Sequence, residues 1–282
     1  MWASSSGRLL FRYSLLLTLS PRRIRCAPGA TAAMATAAQP GDVLAFWFGP
    51  TRATNRHALS TEEYAQERNR LWWSGDAESD AACGAFADTI HAAGKGELTA
   101  GAWAPSPDAS LAKVLLLDQL SRGAFRGRPE AFAYDSVAVA EALAAVEANY
   151  HATMEGFEKQ FLLMPLMHSE APAHHELCVK LFSELADSCR ELLPRPPCLN
   201  PALETAADPS TRSPAHTAIP SLKYSLAFAQ EHAAVIQRFG RFPHRNAAMG
   251  RSTTPEEAAW LASPECPGWA KSQMARAEQG RL

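Results

Sequence analysis

Acidic residues are absent from the first 41 of the 282 positions, and the first acid is Asp42. The same stretch carries five arginines, namely Arg8, Arg12, Arg22, Arg23 and Arg25. Basic, acid-free segments are typical of organellar transit peptides, whereas Arg12 interrupts the apolar core that a secretory signal needs. We therefore expect residues 1–41 to be a cleavable leader to the mitochondrion, with the plastid as the alternative. Synthesis starting at Met34 would give a cytosolic form without the leader.

The sequence also lacks an apolar run long enough to cross a membrane. The patch at residues 15–17 lies between Arg12 and Pro21, well short of the roughly 20 residues that a membrane span requires. The leader holds five positive charges of a chain whose net charge is −2, which leaves the remainder at −7. Such an acidic body repels phosphate backbones, which argues against nucleic-acid binding as the main function. We expect a soluble protein without a membrane span.

Motifs for disulfides, metals and cofactors are missing as well. The six cysteines include no Cys-x-x-Cys pair, so neither a zinc ribbon nor a disulfide framework is indicated, and buried free thiols are expected. No Gly-x-Gly-x-x-Gly fingerprint or phosphate loop is present. His168, Glu170 and His174 or His175 could supply metal ligands, but their spacing matches no zinc pattern. We therefore predict neither a metal nor a cofactor.

Helical spacing of apolar residues recurs along almost the whole chain, and no alternating run of β-branched residues suggests a sheet. We predict an all-α fold with a single domain at residues 42–282. Capping-box patterns predict helix starts at Ser60 and at Thr254. Seven of the 20 prolines fall within 194–220, which predicts a Pro-rich insert there instead of a helix. The other helices are expected near residues 42–48, 77–93, 109–122, 132–149, 154–168, 174–193 and 221–239.

Three segments place polar side chains where packing favours apolar ones, and the first is 111–127. Leucines cover most of the helix circumference in this segment, which indicates a buried helix. Asp118, Gln119 and Arg122 should then lie inside the protein or at the floor of a cleft, where charges need partners. These residues either form an Asp118 to Arg122 ion pair that ties helices together, or they contact a ligand.

The second segment, 161–176, carries Pro165 within an apolar helical run. A kink at this proline could aim His168 and Glu170 at a pocket, and the alternative for His168 is a hydrogen-bonded core histidine. The third segment, 228–246, places His232 on an apolar helix face and then a cluster of donors after the helix ends. Arginines in that cluster could clamp a carboxylate or phosphate, or they could neutralise neighbouring acids. The cluster comprises Arg241, His244, Arg245 and Asn246.

Short motifs in and around these segments resemble one protein family. They include FWFG at 46–49, LWW at 71–73, LLLDQ at 115–119, HSE at 168–170 and FGRFPHRN at 239–246. Together they are similar to the family catalogued as domain of unknown function 924, over about residues 43–262. The resemblance implies a tetratricopeptide-like all-helical fold and leaves the function open.

Two kinds of function are compatible with these patterns. In the first, a cleft joins the three segments and binds or transforms a small anionic metabolite, with an acid or histidine moving protons and arginines holding the anion. The catalytic candidates are Asp118, His168, Glu170 and His244, and the ligand-binding candidates are Gln119, Arg122, Arg241, Arg245 and Asn246. In this reading Glu170 or Asp118 is the base and His168 or His244 the proton shuttle.

In the second kind of function, a groove of the helical array binds a protein or peptide without catalysis. The aromatic residues available for such a groove are Trp47, Trp72, Trp73, Phe242 and Trp260. Packing alone does not require three matched polar segments, so we prefer the small-molecule cleft. Whether the protein is an enzyme stays open at this point.

A reporter protein fused to residues 1–41 should be imported into mitochondria, because the segment is basic and free of acids. Fluorescence microscopy with organelle markers measures this. A matched fusion with all five arginines replaced by glutamine should stay in the cytosol. Cytosolic retention or secretion of the parent fusion would contradict the prediction.

Overall fold

A computed structural model of the protein describes residues 37–191 and 220–271. The regular secondary structure in those ranges is helical. No strand occurs in those ranges, which confirms the predicted all-α class. Residues 1–36 of the predicted leader and 194–219 of the Pro-rich insert lie outside the described residues. The α-helices are α1 (Pro40–Phe48), α2 (Thr51–Thr54), α3 (Glu62–Asn69), α4 (Ala77–Gly84), α5 (Ala87–Gly94), α6 (Pro107–Val114), α7 (Ser121–Ala124), α8 (Asp135–Glu147), α9 (Gly156–His168), α10 (Pro172–Glu191), α11 (Pro220–Phe239) and α12 (Pro255–Ala262).

Two π-helical segments interrupt this array. One, Arg70–Ser74, follows α3, and the other, Leu115–Leu120, joins α6 to α7. Every residue of Leu115–Leu120 is buried, including Asp118 and Gln119. The prediction of a buried helix in this part of the chain is therefore confirmed. Wider helical turns of this kind are frequent at functional sites, because they re-aim side chains.

Helix α9 is the centre of the packing, with contacts to α6, α8, α10 and α11. It runs without interruption through Pro165 to its last residue, His168. Almost all of its side chains are buried, so the helix has no solvent face of its own. No helix in the described ranges has the length and apolar character that a membrane crossing needs.

One predicted helix is divided into two, and one predicted helix cap lies at the neighbouring residue. The helix predicted at 77–93 is divided into α4 and α5, because Gly84 is a weak helix former and the amide of Phe86 bonds back to the carbonyl of Cys83 at 3.0 Å. The predicted cap Ser60 is also wrong: Thr61 caps α3 by accepting the amide of Tyr64. The hydroxyl of Ser60 instead accepts the amide of Gly156, a contact that sequence proximity does not reveal. The capping box predicted at Thr254 is confirmed.

Aromatic side chains and thiols are placed mainly in the core. Four of the five aromatic residues considered for a groove are buried, and Trp73 alone among them is exposed. The cysteines whose side chains the structure describes are Cys83, Cys178 and Cys266, and all three are buried free thiols, as expected. Burial raises the pKa of the Cys83 thiol to about 11, which makes it a poor nucleophile at neutral pH.

Replacing Gly156 with alanine should destabilise the protein by about 1–3 kcal/mol, as overpacking does. A Cβ at Gly156 would lie 2.6 Å from Leu222 Cδ1 and 3.2 Å from the Cα of Ser60. Urea unfolding measures the loss. The matched control is Gly84→Ala, because a Cβ there meets nothing within 4 Å; it should be neutral or stabilising by up to about 1 kcal/mol. Equal effects of the two substitutions would contradict this packing.

Candidate functional site

A cavity of about 520 Å³ lies among α4, α7, α9, α11 and the turn that follows α11. Its volume falls within the range of roughly 300–1,000 Å³ that small-molecule sites occupy. The lining mixes aromatic walls with polar groups from three distant parts of the chain. The polar side chains that matter most here are Gln119, Arg122, Arg126, His168, His244 and Arg245.

A carboxylate and an imidazole form the innermost pair of this site. Nδ1 of His168 lies 2.8 Å from Oδ1 and 2.9 Å from Oδ2 of Asp118. Asp118 is 0% exposed and lies behind the cavity, whereas His168 lines it. When Nδ1–H donates to the carboxylate and the ring is in its neutral form, Nε2 carries the lone pair. Within the described residues Nε2 has no hydrogen-bond partner.

Asp118 keeps its negative charge despite complete burial. Burial by itself would raise the pKa of its carboxyl group, but the charge of His168, the bond from its ring and the nearby Arg122 together lower this pKa to about 2. Gln119 Nε2 also donates to Oδ2. The Arg122 ion pair predicted from the i, i+4 spacing exists at 3.5 Å, so it is longer than the contact with His168.

Two buried arginines share a single carboxylate at another wall of the cavity. Asp135 Oδ1 lies 2.8 Å from Arg122 Nη1, and its Oδ2 lies 2.8 Å from Arg245 Nη1. Both guanidinium groups lie over the ring of Phe132, at 4.7 and 4.9 Å from its centroid. Arg245 also donates from Nη2 to the carbonyl of His168 at 3.0 Å. These contacts join α7, α8, the end of α9 and the turn after α11 around one site.

Burial makes the charge of Arg245 costly. It lowers the pKa of Arg245 to about 10, and Asp135 offsets only part of the effect while Arg122 adds to it. The side chain still carries its positive charge at neutral pH. Its Nε and the Nδ1 of His244 are buried and have no hydrogen-bond partner among the described residues. Other parts of these two side chains line the cavity.

The two other histidines at the cavity are neutral. Burial, reinforced by the charge of His168, holds the pKa of His232 well below its ordinary value. Burial, reinforced by Arg245, does the same for His244. A histidine with so low a pKa cannot carry a proton at neutral pH. His244 is thus poorly suited to the role of proton shuttle considered from the sequence.

Besides Asp118, three candidate residues do not line the cavity. Glu170 pairs with Arg251 at 2.7 Å and accepts the amide of Phe242 at 2.8 Å. Arg241 forms two contacts with Glu257, at 2.6 and 2.8 Å. Asn246 is fully buried and donates to the same Glu257 carboxylate at 3.1 Å.

The backbone explains why these three side chains diverge from their neighbours. Gly240, with a φ of 69°, turns the chain after α11, and the 3₁₀ turn Pro243–Arg245 follows. The side chain of Arg241 therefore points to α12 while that of Arg245 reaches the cavity. Glu170 follows the end of α9, so it lies beyond the helix face that carries His168. Helical spacing predicts which residues share a helix face, but not the directions that side chains take after the helix ends.

Several cavity residues were not selected from the sequence. Arg126 is held by Asp80 through contacts of 2.6 and 2.7 Å. Ser225 donates to Gln160 at 2.7 Å, which connects α11 to α9. Trp269 also lines the cavity. Ser225 and Trp269 lie outside the three polar segments, whereas Arg126 lies inside the first of them, four residues after Arg122.

Comparison with known proteins supports the fold and supplies no activity. The sequence profile of a family described as "Bacterial protein of unknown function (DUF924)" matches residues 43–265. The chain is also similar to a solved structure, that of the protein of unknown function ATU0120 from Agrobacterium tumefaciens. The identity is 25% and the TM-score 0.51, and the similarity covers 79% of this chain and 96% of that chain. No protein with a curated description matches.

Asp118→Asn should flatten the loss of stability on acidification. The pKa of Asp118 is about 2 in the folded protein and about 3.9 in an unfolded chain, so the folded state binds fewer protons. Its contribution, about 2–3 kcal/mol, is complete above about pH 4 and is lost as the pH falls through about 2. Urea unfolding of parent and variant at several pH values measures the difference. Identical pH dependence of the two proteins would contradict the charged state of Asp118.

Proposed function

Since the chain belongs to DUF924, a family of bacterial proteins of unknown function, we propose its function from the geometry of the cavity: it binds a small organic anion beside a histidine that acts as a general base. The observation that carries this proposal is the contact between Asp118 and His168 at a cavity that Arg122 and Arg245 also line. The arrangement combines a positioned base with guanidinium groups at one cavity.

His168 is the base in this proposal, and Asp118 orients it. A carboxylate on Nδ1 holds the ring in one tautomer and stabilises the imidazolium ion that forms when Nε2 takes a proton. Asp118 itself is completely buried, so it cannot reach a substrate. The chemistry that follows is proton abstraction from the bound molecule or from a water next to it.

Arginine side chains at the cavity favour an anionic ligand. Asp135 contacts both Arg122 and Arg245, and Asp118 also pairs with Arg122, so two carboxylates face these two guanidinium groups. A carboxylate or phosphate would accept hydrogen bonds from the guanidinium groups that line the cavity. Hydrogen bonds to a charged partner are the strongest that such a group can form.

The alternative, a groove for a protein or peptide, has less support. Four of the five aromatic residues that such a groove would use are core residues. Aromatic side chains buried in the core cannot anchor a partner without unfolding their surroundings. A cavity of about 520 Å³ also suits a small molecule better than a polypeptide.

A panel of small carboxylates and inorganic phosphate should raise the melting temperature of the parent protein. Ligand at 100 times its dissociation constant adds about 2.7 kcal/mol to stability. Arg245→Gln removes the charge that holds the anion, so this variant should lose most of the shift relative to its own ligand-free melting temperature. Differential scanning fluorimetry at constant ionic strength measures both, because salt alone changes ion pairs.

The matched control is Arg241→Gln, which removes the same charge from an ion pair outside the cavity. This variant should lose basal stability and keep the full response to the anion. Equal loss of response in the two variants would show that charge, and not the cavity, produces the shift. A parent protein that responds to no member of the panel would refute the proposed function.

A further inference from the structure

Exposed aromatic surface is concentrated at the same cavity. Among the described residues only four large hydrophobic side chains are exposed: Trp73, Tyr224, Phe228 and Met249. Two of these, Trp73 at 49% and Phe228 at 45% exposure, line the cavity. They come from the π-helical segment Arg70–Ser74 and from α11, which are distant in sequence. Exposed apolar groups gathered from separate elements mark a binding surface more often than a packing defect.

Two neighbouring aromatic rings support the indole of Trp73 at the cavity. Its ring stacks on Phe161, with centroids 5.9 Å apart and planes at 21°, and it meets the edge of Trp72 at 6.3 Å. Both supporting rings are buried. The supported ring leaves about half of its surface open, in a position where a planar group could stack against it.

A further aromatic wall contains Trp269 together with the neutral histidines. The indole of Trp269 stacks on His232, with centroids 3.8 Å apart and planes at 13°, and meets the edge of His244 at 5.3 Å. His232 in turn lies 5.9 Å from the ring of His168. The aromatic surface therefore continues up to the proposed base.

The spacing along α11 relates the aromatic surface to the polar end of the cavity. Phe228 precedes His232 by four residues, which is about 6 Å along a helix axis. The ring of His232 contacts that of His168, whose carbonyl binds Arg245. Phe228, His232, His168 and Arg245 all line the cavity, so the lining runs from the exposed aromatic residues to the arginine.

We infer that the ligand is an aryl carboxylate whose flat ring lies against Trp73 and Phe228 while its carboxylate is bound by Arg245. This inference rests on the proposed function and names the class of its ligand. Aromatic rings prefer stacked or edge-to-face contact with one another, whereas a saturated ring of similar size gains only from burial of its surface. The aromatic lining thus discriminates between ligands that have the same charge and length.

The test compares 3-phenylpropanoate with 3-cyclohexylpropanoate, which share carbon count and charge and differ in the ring. Isothermal titration calorimetry on the full chain should give a dissociation constant roughly threefold to tenfold lower for the phenyl compound, the ratio that one or two aromatic contacts produce. Trp73→Leu and Phe228→Leu keep an apolar side chain and remove its π face. Each variant should bring the two dissociation constants closer together.

Tyr224→Leu is the control, because Tyr224 is an exposed aromatic residue of α11 at 61% exposure that does not line the cavity. This variant should keep the preference for the phenyl compound. Equal binding of the two acids by the parent, or a preference that both cavity variants retain, would overturn the aromatic inference and leave the anion site standing. If neither these acids nor the wider panel binds, the proposed function fails as well.

Discussion

A carboxylate buried in an apolar helix is the constraint on which the candidate site depends. Asp118 has no solvent exposure and is surrounded by leucines of its own segment. An unpaired charge in such a place would cost several kcal/mol, so neighbouring elements must bring donors to it. The end of α9 supplies His168, and this contact also directs Nε2 of the ring away from Asp118. The need to compensate one buried charge thereby creates a histidine suited to proton transfer.

The ion pairs that join the distant segments also determine the charge of the cavity. Asp135 on α8 binds Arg122 and Arg245, which come from α7 and from the turn after α11. One carboxylate between two cations holds the segments together, and Asp118 supplies a second carboxylate to Arg122 beside the cavity. Burial then keeps His232 and His244 neutral, because a further charge near Arg245 would be unfavourable. The ion pairs that hold these segments together are therefore also the groups that a ligand in the cavity would meet.

Part of the site could be predicted because local patterns carry it. A helix apolar on all sides indicates that Asp118, Gln119 and Arg122 are buried, and buried charges require partners. Glu170 and Arg241 were expected at the same cavity, but neither lines it, because each forms an ion pair with another residue outside the cavity. Gln160 and Trp269 were missed because they lie outside the three polar segments, and Arg126 was missed although it lies in the first segment, four residues after Arg122.

Helical periodicity and the cost of buried charge act over a few residues, so the all-α class, the burial of the leucine-rich segment and the polar character of three segments could be predicted from the sequence. Which polar groups face the same space depends on how the helices pack. Turns at Gly240 and after His168 separate side chains that are adjacent in sequence, and the contact of Asp118 with His168 crosses 50 positions. Directions set by turns and long-range pairs have no periodic signature, which is why the roles of individual residues required the fold.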